Sequence, residues 1–122
     1  MKLGVNLCFA IKRWIDPGEL AKIVRDDLGL DYVQYTWDLT DPWWPHAERD
    51  KLAGAYAKAF RQAGLTVEST FGGLASYTYS HFLAPSEELR RLGYEHLRRA
   101  IDMTAAMEAP AAGMPFGSFS AC

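Results

Sequence analysis

Cysteine and histidine are scarce in this chain, whose 122 residues include two cysteines and three histidines. Cys8 and Cys122 lie at opposite ends of the sequence, so a disulfide framework is a poor expectation. His46, His81 and His96 follow none of the spacings that bind structural zinc. These absences favour a reducing compartment over a disulfide-stapled scaffold or a zinc module.

An excess of one charge and long apolar runs are missing as well. Lys and Arg together number 13 against 15 Asp and Glu, which leaves a formal net charge of −2. That balance gives no electrostatic basis for binding nucleic acid or an anionic membrane. No apolar run approaches the roughly 20 residues of a membrane span, and the first residues lack the apolar segment and cleavage site of a signal peptide. We therefore expect a cytoplasmic protein with no nucleic-acid partner and no membrane partner.

Apolar residues make up 49% of the sequence and fall into runs of two alternating kinds. Strand-like runs are predicted at residues 2–8, 31–37, 65–71 and 111–116. Helix-like runs are predicted to begin at Pro17 behind the capping residue Asp16, to cover 46–63, and to follow the capping residue Ser86. About four strands alternating with three helices predict an α/β fold with a parallel sheet and right-handed crossovers.

One face of the predicted sheet is polar, because side chains alternate between the two faces of a strand. The residues expected on that face are Asn6, Gln34, Thr36, Glu68 and Thr70. A buried polar face needs hydrogen-bond partners, and a barrel interior that opens onto a polar ligand site supplies them. Long loops follow the second and third strands, at the end where such barrels place their sites. The sequence therefore predicts (β/α) units of a TIM barrel with strand order 1-2-3-4.

Three stretches of the sequence resemble a known family when they are taken together. They are KLGVNLCFAIKRW at 2–14, LDYVQ at 30–34 with DPWWP at 41–45, and ESTFGGLASYTY at 68–79. They resemble the sugar phosphate isomerase/epimerase family, whose fold is a xylose isomerase-like TIM barrel, and within it the tetrulose-phosphate and ketose 3-epimerases. The resemblance implies a divalent metal (Mn²⁺, Mg²⁺ or Co²⁺) and a small sugar or sugar phosphate as partner, while the sequence leaves open whether the protein is a homo-oligomer. It also implies proton transfer beside a carbonyl through an enediolate.

The family's metal ligands, which are two Glu, one Asp and one His, come from later strands of the barrel than this chain contains. A whole barrel takes about 250 residues. The expectation is therefore that residues 1–122 form the N-terminal part of a single barrel domain, with no metal ligand and no assigned catalytic residue. Such a portion supplies one wall of the substrate pocket, and whether it acts as an enzyme alone is left open.

The resemblance places a set of side chains toward the substrate on the early strands and their loops. They are Asn6, Cys8, Trp14, Gln34, Asp38, Thr70, Tyr77 and His81. Asn6 and Gln34 have the alternative of satisfying each other inside the barrel. Glu68 is a candidate general base, with a structural ion pair as its alternative. The cationic pair Lys12 and Arg13 is a candidate contact for a substrate phosphate. For Trp43 with Trp44 the alternatives are stacking on a sugar, a subunit contact, or packing on the barrel rim.

Three other interpretations remain open from the sequence. The chain is a non-catalytic fragment whose unpaired sheet edges promote association, or a small α/β binding module with an open flavodoxin-like sheet. It could also carry another chemistry on the same barrel, such as an endonuclease, which its charge disfavours, or a dehydratase. Strand order separates the barrel from the open sheet, because a doubly wound sheet reverses direction and a barrel does not.

Overall fold

The computed structural model describes residues 1–74, 76 and 82–116. Within these residues four parallel strands form one sheet in the order β1-β2-β3-β4. The strands are β1 (Gly4–Asn6), β2 (Tyr32–Thr36), β3 (Thr66–Phe71) and β4 (Ala112–Gly113). The predicted strand order 1-2-3-4 is confirmed, and the reversed order of an open doubly wound sheet is absent from the described strands.

Within the described residues three α-helices connect the strands, and the first and third of them start after the predicted capping residues Asp16 and Ser86. They are α1 (Pro17–Lys22), which continues into a π-helical turn at Ile23–Asp27, α2 (His46–Gln62) and α3 (Glu87–Ala106). The Asp16 carboxylate accepts the Glu19 N–H at 2.8 Å, and the Ser86 hydroxyl accepts the Leu89 N–H at 3.4 Å. Each cap satisfies a backbone donor that a helix start leaves without a partner. None of the described helices is both long enough and apolar enough to cross a bilayer.

The first and fourth strands are shorter than predicted. After Asn6 the chain turns into a 3₁₀ helix (Leu7–Ala10), because the Asn6 side-chain oxygen accepts the Cys8 N–H at 2.8 Å and caps that turn. An N–H used in this way is not available to a strand ladder, so the predicted run to Cys8 stops two residues early. The fourth strand covers two residues of the predicted 111–116.

The core lies between the outer face of the sheet and the helices. Val33 and Tyr35 of β2 are fully buried there, and the Tyr35 ring packs on Tyr56 of α2 with centroids 5.3 Å apart. The Tyr35 hydroxyl bonds the Thr40 hydroxyl at 2.6 Å. Burial is the largest cause of the raised pKa of the Tyr35 phenol, which is therefore neutral at all ordinary pH values. These contacts hold the start of the loop after β2 against α2.

A register shift separates the two halves of the β2–β3 pair. Val33 lies opposite Val67, but Gln34 lies opposite Ser69, so β3 contains one extra residue at Glu68. An extra residue of this kind is a β-bulge, and it reverses which face each later side chain occupies. The second half of β3 is therefore turned relative to the simple alternation expected from its sequence.

Candidate functional site at the carboxyl ends of the strands

A row of hydrogen-bonded polar side chains crosses three strands on the inner face of the sheet. The Asn6 amide nitrogen donates to the Gln34 side-chain oxygen at 2.8 Å, and the Gln34 amide nitrogen donates to the Ser69 hydroxyl at 3.0 Å. This is the mutual satisfaction expected as the alternative for Asn6 and Gln34. Each amide NH₂ has two hydrogens and uses one of them here, so the row retains donors for a ligand oxygen.

The bulge brings Ser69 into this row in place of Thr70. Thr70 was expected on the polar face, but it is fully buried against α3 on the opposite face. Its hydroxyl oxygen accepts the Trp37 indole N–H at 2.9 Å and bonds the Thr104 hydroxyl at 2.6 Å. The prediction for the face of Thr70 is wrong, because simple alternation takes no account of the extra residue at Glu68.

Glu68 has a partner of opposite charge at the start of β1. The Lys2 ammonium lies 3.7 Å from the Glu68 carboxylate and 4.9 Å from the centre of the Tyr32 ring. The structure thus contains the ion pair that was the alternative to a general base. Both side chains are well exposed, so this pair contributes little to stability.

Asp38 stands two residues beyond the end of β2 and contacts the loop after β3. One oxygen of its carboxylate, Oδ2, accepts the Leu74 N–H at 2.9 Å and the Thr36 hydroxyl at 3.2 Å. The backbone of Gly73 passes so close that a Cβ there would overlap the carboxylate. A glycine at this position is therefore required for Asp38 to keep its place. The carboxylate is fixed by these contacts at the edge where sites of such sheets lie.

A cleft of about 570 Å³ opens between the loop after β2 and the first half of α3. The residues of its walls that matter below are Trp37, Asp38, Asp41, Trp43, Trp44 and His96. Trp43 is stacked on His96 with centroids 5.5 Å apart and 9° between planes, and Trp37 meets the same imidazole edge-on at 5.5 Å. No sequence signal indicated that His96 contacts two tryptophans, since the segment after β2 and α3 are far apart along the chain.

Trp43 is also covered by a cation from α3. The Arg99 guanidinium lies 5.1 Å from the Trp43 ring centre and donates to the Glu95 carboxylate at 2.9 Å. Hydrogen bonds from Arg98 and then Arg99 lower the pKa of Glu95 to about 2, so Glu95 is ionised at neutral pH. Trp43 thus packs on the rim as one alternative proposed, although it and Trp44 remain 42% and 41% exposed.

The remaining predicted site residues do not belong to the lining of the cleft or lie outside the described residues. Cys8 is exposed in the 3₁₀ turn, and Trp14 packs on Phe9 at 6.0 Å with the Arg13 guanidinium 5.6 Å from its ring. Tyr77 and His81 fall outside the residues that the structure describes. Across 1–74, 76 and 82–116, no group of three or more His, Cys, Asp or Glu residues is arranged to hold a metal ion.

Comparison with known proteins supports the fold and shows what the chain is similar to. The chain is 78% identical to a provisionally assigned xylose isomerase from Rhodospirillum rubrum ATCC 11170, whose crystal structure superposes with a TM-score of 0.96. Over its own length the chain is thus similar to a xylose isomerase-like protein. This match covers 99% of the chain and 41% of the Rhodospirillum protein.

Two more distant proteins that resemble the chain are named as sugar epimerases. A crystal structure of D-psicose 3-epimerase with D-fructose has a TM-score of 0.67 at 15% identity, over 93% of this chain and 37% of that one. D-erythrulose 1-phosphate 3-epimerase of Brucella abortus (strain 2308) is 23% identical over 120 residues, which are 98% of this chain and 38% of the relative. No protein-family model matches the chain. The chain thus spans about two fifths of the length of the proteins it matches, and it has the fold of a TIM-barrel sugar isomerase or epimerase over that length.

Proposed function

We propose that this chain forms the substrate-binding wall of a cytoplasmic, metal-dependent isomerase or epimerase that acts on a small ketose or ketose phosphate through an enediolate. Residues 1–122 would form the N-terminal portion of its single barrel domain. The observation that carries the proposal is that a polar row, Asn6–Gln34–Ser69, lies on the inner face of the sheet while a fixed carboxylate, Asp38, follows the carboxyl end of β2. Similarity to two 3-epimerases and a provisionally assigned xylose isomerase supports it.

The polar row is suited to hold oxygen atoms of a sugar. The unused amide hydrogens of Asn6 and Gln34 would donate to carbonyl or hydroxyl oxygens, while Asp38 would accept from a hydroxyl. Because Gln34 is held from both sides by Asn6 and Ser69, its amide is oriented before a ligand arrives. Such preorganisation would hold the reacting carbon of the sugar in place relative to the groups that transfer the proton. This is the contribution expected of a side chain that performs no proton transfer itself.

The described residues do not fit a metal site, so no ligand is assigned to them. In the proposed enzyme a divalent ion would stabilise negative charge on the substrate oxygens, and its ligands would come from elsewhere in the barrel. We expect the proton-transfer residues to come from elsewhere in the barrel as well, so none is assigned among the described residues. Glu68 stays a weak candidate, since its partner in the structure is Lys2.

The activity is tested with the protein expressed from its complete native gene. It would be incubated with Mn²⁺, Mg²⁺ or Co²⁺ and with tetrulose phosphates and free and phosphorylated hexuloses, and products would be separated by chromatography. We expect metal-dependent epimerisation at C3 of at least one ketose, abolished by EDTA. No isomerisation or epimerisation of any of these sugars with any of the three ions would contradict the proposal.

A matched pair of variants tests the role of the polar row. Gln34→Met keeps the length of the side chain but removes its hydrogen bonds, and we expect KM to rise about tenfold, as for a lost sugar contact. Gln62→Met, at the exposed end of α2, is the control and should leave KM unchanged. A Gln34→Met protein with lower stability but unchanged KM would show that the row is structural.

A further inference from the structure

We propose that the cleft between the loop after β2 and α3 binds the neutral, hydroxyl-bearing end of a sugar. In this proposal Asp38 accepts a hydroxyl, and the negative lining of the cleft rejects a phosphate at that end. The identity of the ligand as a sugar rests on the proposed function. The position and chemistry of the cleft rest on the contacts below.

Asp38 presents a carboxylate oxygen that has no hydrogen-bond partner among the described residues. Its Oδ2 is occupied by the Leu74 N–H and the Thr36 hydroxyl, whereas Oδ1 accepts from neither, and Asp38 lines the cleft. An ionised carboxylate has about four lone-pair sites, so two donors leave capacity for a ligand hydroxyl. Since the close approach of the Gly73 backbone and these two donors already fix the group, ligand binding needs no further ordering of this side chain.

The walls of the cleft suit the carbon skeleton of a sugar. Indole rings of Trp43 and Trp44 line it, and each is about two fifths exposed. Aromatic faces contact the C–H groups of a polyol while its hydroxyls reach polar groups at the edges. A volume of about 570 Å³ falls within the roughly 300–1,000 Å³ of small-molecule sites.

The charges around the cleft disfavour an anionic ligand. Two carboxylates, those of Asp38 and Asp41, line it, and no Lys or Arg belongs to the lining within the described part of the chain. The nearby Arg99 is stacked on Trp43 and bonded to Glu95, so its charge is already paired. A phosphate placed here would face like charges, which costs more free energy than a neutral hydroxyl group.

The cationic residues near this edge lie in a different loop. Lys12 and Arg13 follow the 3₁₀ turn after β1, away from the residues that line the cleft. A sugar phosphorylated near its carbonyl is therefore compatible with the cleft, provided that its far end is free. A sugar phosphorylated at the far end is not.

Titration calorimetry on the protein from its complete native gene would use three probes: D-fructose, D-fructose 1-phosphate and D-fructose 6-phosphate. We expect the 6-phosphate to bind at least about tenfold more weakly than the 1-phosphate, the size of effect given by one lost charged hydrogen bond plus repulsion. Asp38→Asn should weaken D-fructose and the 1-phosphate about tenfold and reduce the preference over the 6-phosphate. The control Asp27→Asn, an exposed residue after α1, should change none of the three affinities.

Trp44→Ala provides a second variant that leaves the Asp38 contacts intact, and it should weaken D-fructose and the 1-phosphate alike. Equal binding of the two phosphates, unchanged affinity in both cleft variants, or no binding of any probe would overturn the inference. Binding with the expected preference but without epimerisation would instead leave the cleft assignment standing and contradict only the proposed function. Epimerisation without the preference would do the reverse.

Discussion

Thr70 joins three parts of the molecule through one buried hydroxyl. It bonds Trp37 at the end of β2 and Thr104 on α3, and Thr104 in turn donates to the Ala100 carbonyl at 2.7 Å. Trp37 is one of the two tryptophans on His96, so this chain of bonds supports the wall of the cleft from below. Thr70, which the sequence was expected to turn toward the substrate, is therefore buried between β3 and α3 and supports Trp37 in the wall of the cleft.

Replacement of Thr70 by Val should destabilise the protein by about 2–3 kcal/mol, because the shape is kept while the buried Trp37 indole N–H loses its acceptor. Thr70→Ser is the matched control, which keeps the hydroxyl and loses one methyl group, at a cost of about 1 kcal/mol. Urea unfolding followed by tryptophan fluorescence measures both variants. Equal losses for Val and Ser would mean that packing of the methyl group, not the hydroxyl, is what matters.

At the scale of the elements, sequence signals set the helix boundaries well. Asp16 and Ser86 cap the helices that they were predicted to cap. Gly64, at φ 76°, follows the end of α2 and turns the chain toward β3. The signals are local, because a cap or a left-handed glycine depends on residues only a few positions away. The π-helical turn after α1 was not predicted. A π-helical turn has a longer period than an α-helix. Leu28 continues the spacing of the buried Leu20 and Val24, but after this turn its side chain is 46% exposed.

Two glycines of the α2 region should respond to alanine in opposite directions. Gly64→Ala should cost about 1 kcal/mol or more, because a side chain is strained at φ 76°. Gly54→Ala, inside α2 with open space around its missing Cβ, should stabilise by about 0.5–1 kcal/mol through higher helix propensity. Thermal unfolding of both variants checks the pair, and the idea fails if Gly64→Ala melts at or above the temperature of the unchanged protein.

At the scale of the whole molecule, the sheet has two edge strands within the described residues. β1 pairs with β2 alone and β4 pairs with β3 alone, and the inner face carries the polar row. A closed barrel has no edges, whereas open edges are templates for pairing with another chain.

The 122-residue chain produced by itself should associate through these edges in a concentration-dependent way. Sedimentation velocity over a range of concentrations measures this, and we expect species larger than the monomer to increase with concentration. Leu3→Lys, at a side chain next to β1 that is 64% exposed, should reduce the association if this edge takes part, since edge charges oppose pairing. A monomer at every concentration that also unfolds cooperatively would contradict the expectation.

The sequence by itself determined the order and parallel pairing of the described strands and the caps of the first and third helices. The helix caps and the alternation of strands and helices follow from patterns among nearby positions. The strand order follows from the barrel that these patterns and the resemblance predict. The sequence also predicted Asn6, Gln34 and Asp38 near the carboxyl ends of the strands. Their roles toward substrate remain a prediction.

Only the tertiary structure decided which side chains share a surface. The bulge at Glu68 depends on how β3 pairs with β2. It places Ser69, and not Thr70, on the inner face. Likewise, the fixing of Asp38 depends on Gly73, which lies 35 positions later in the sequence. Strand register and contacts between loops are set by distant pairings, so a period of two along one strand cannot reveal them.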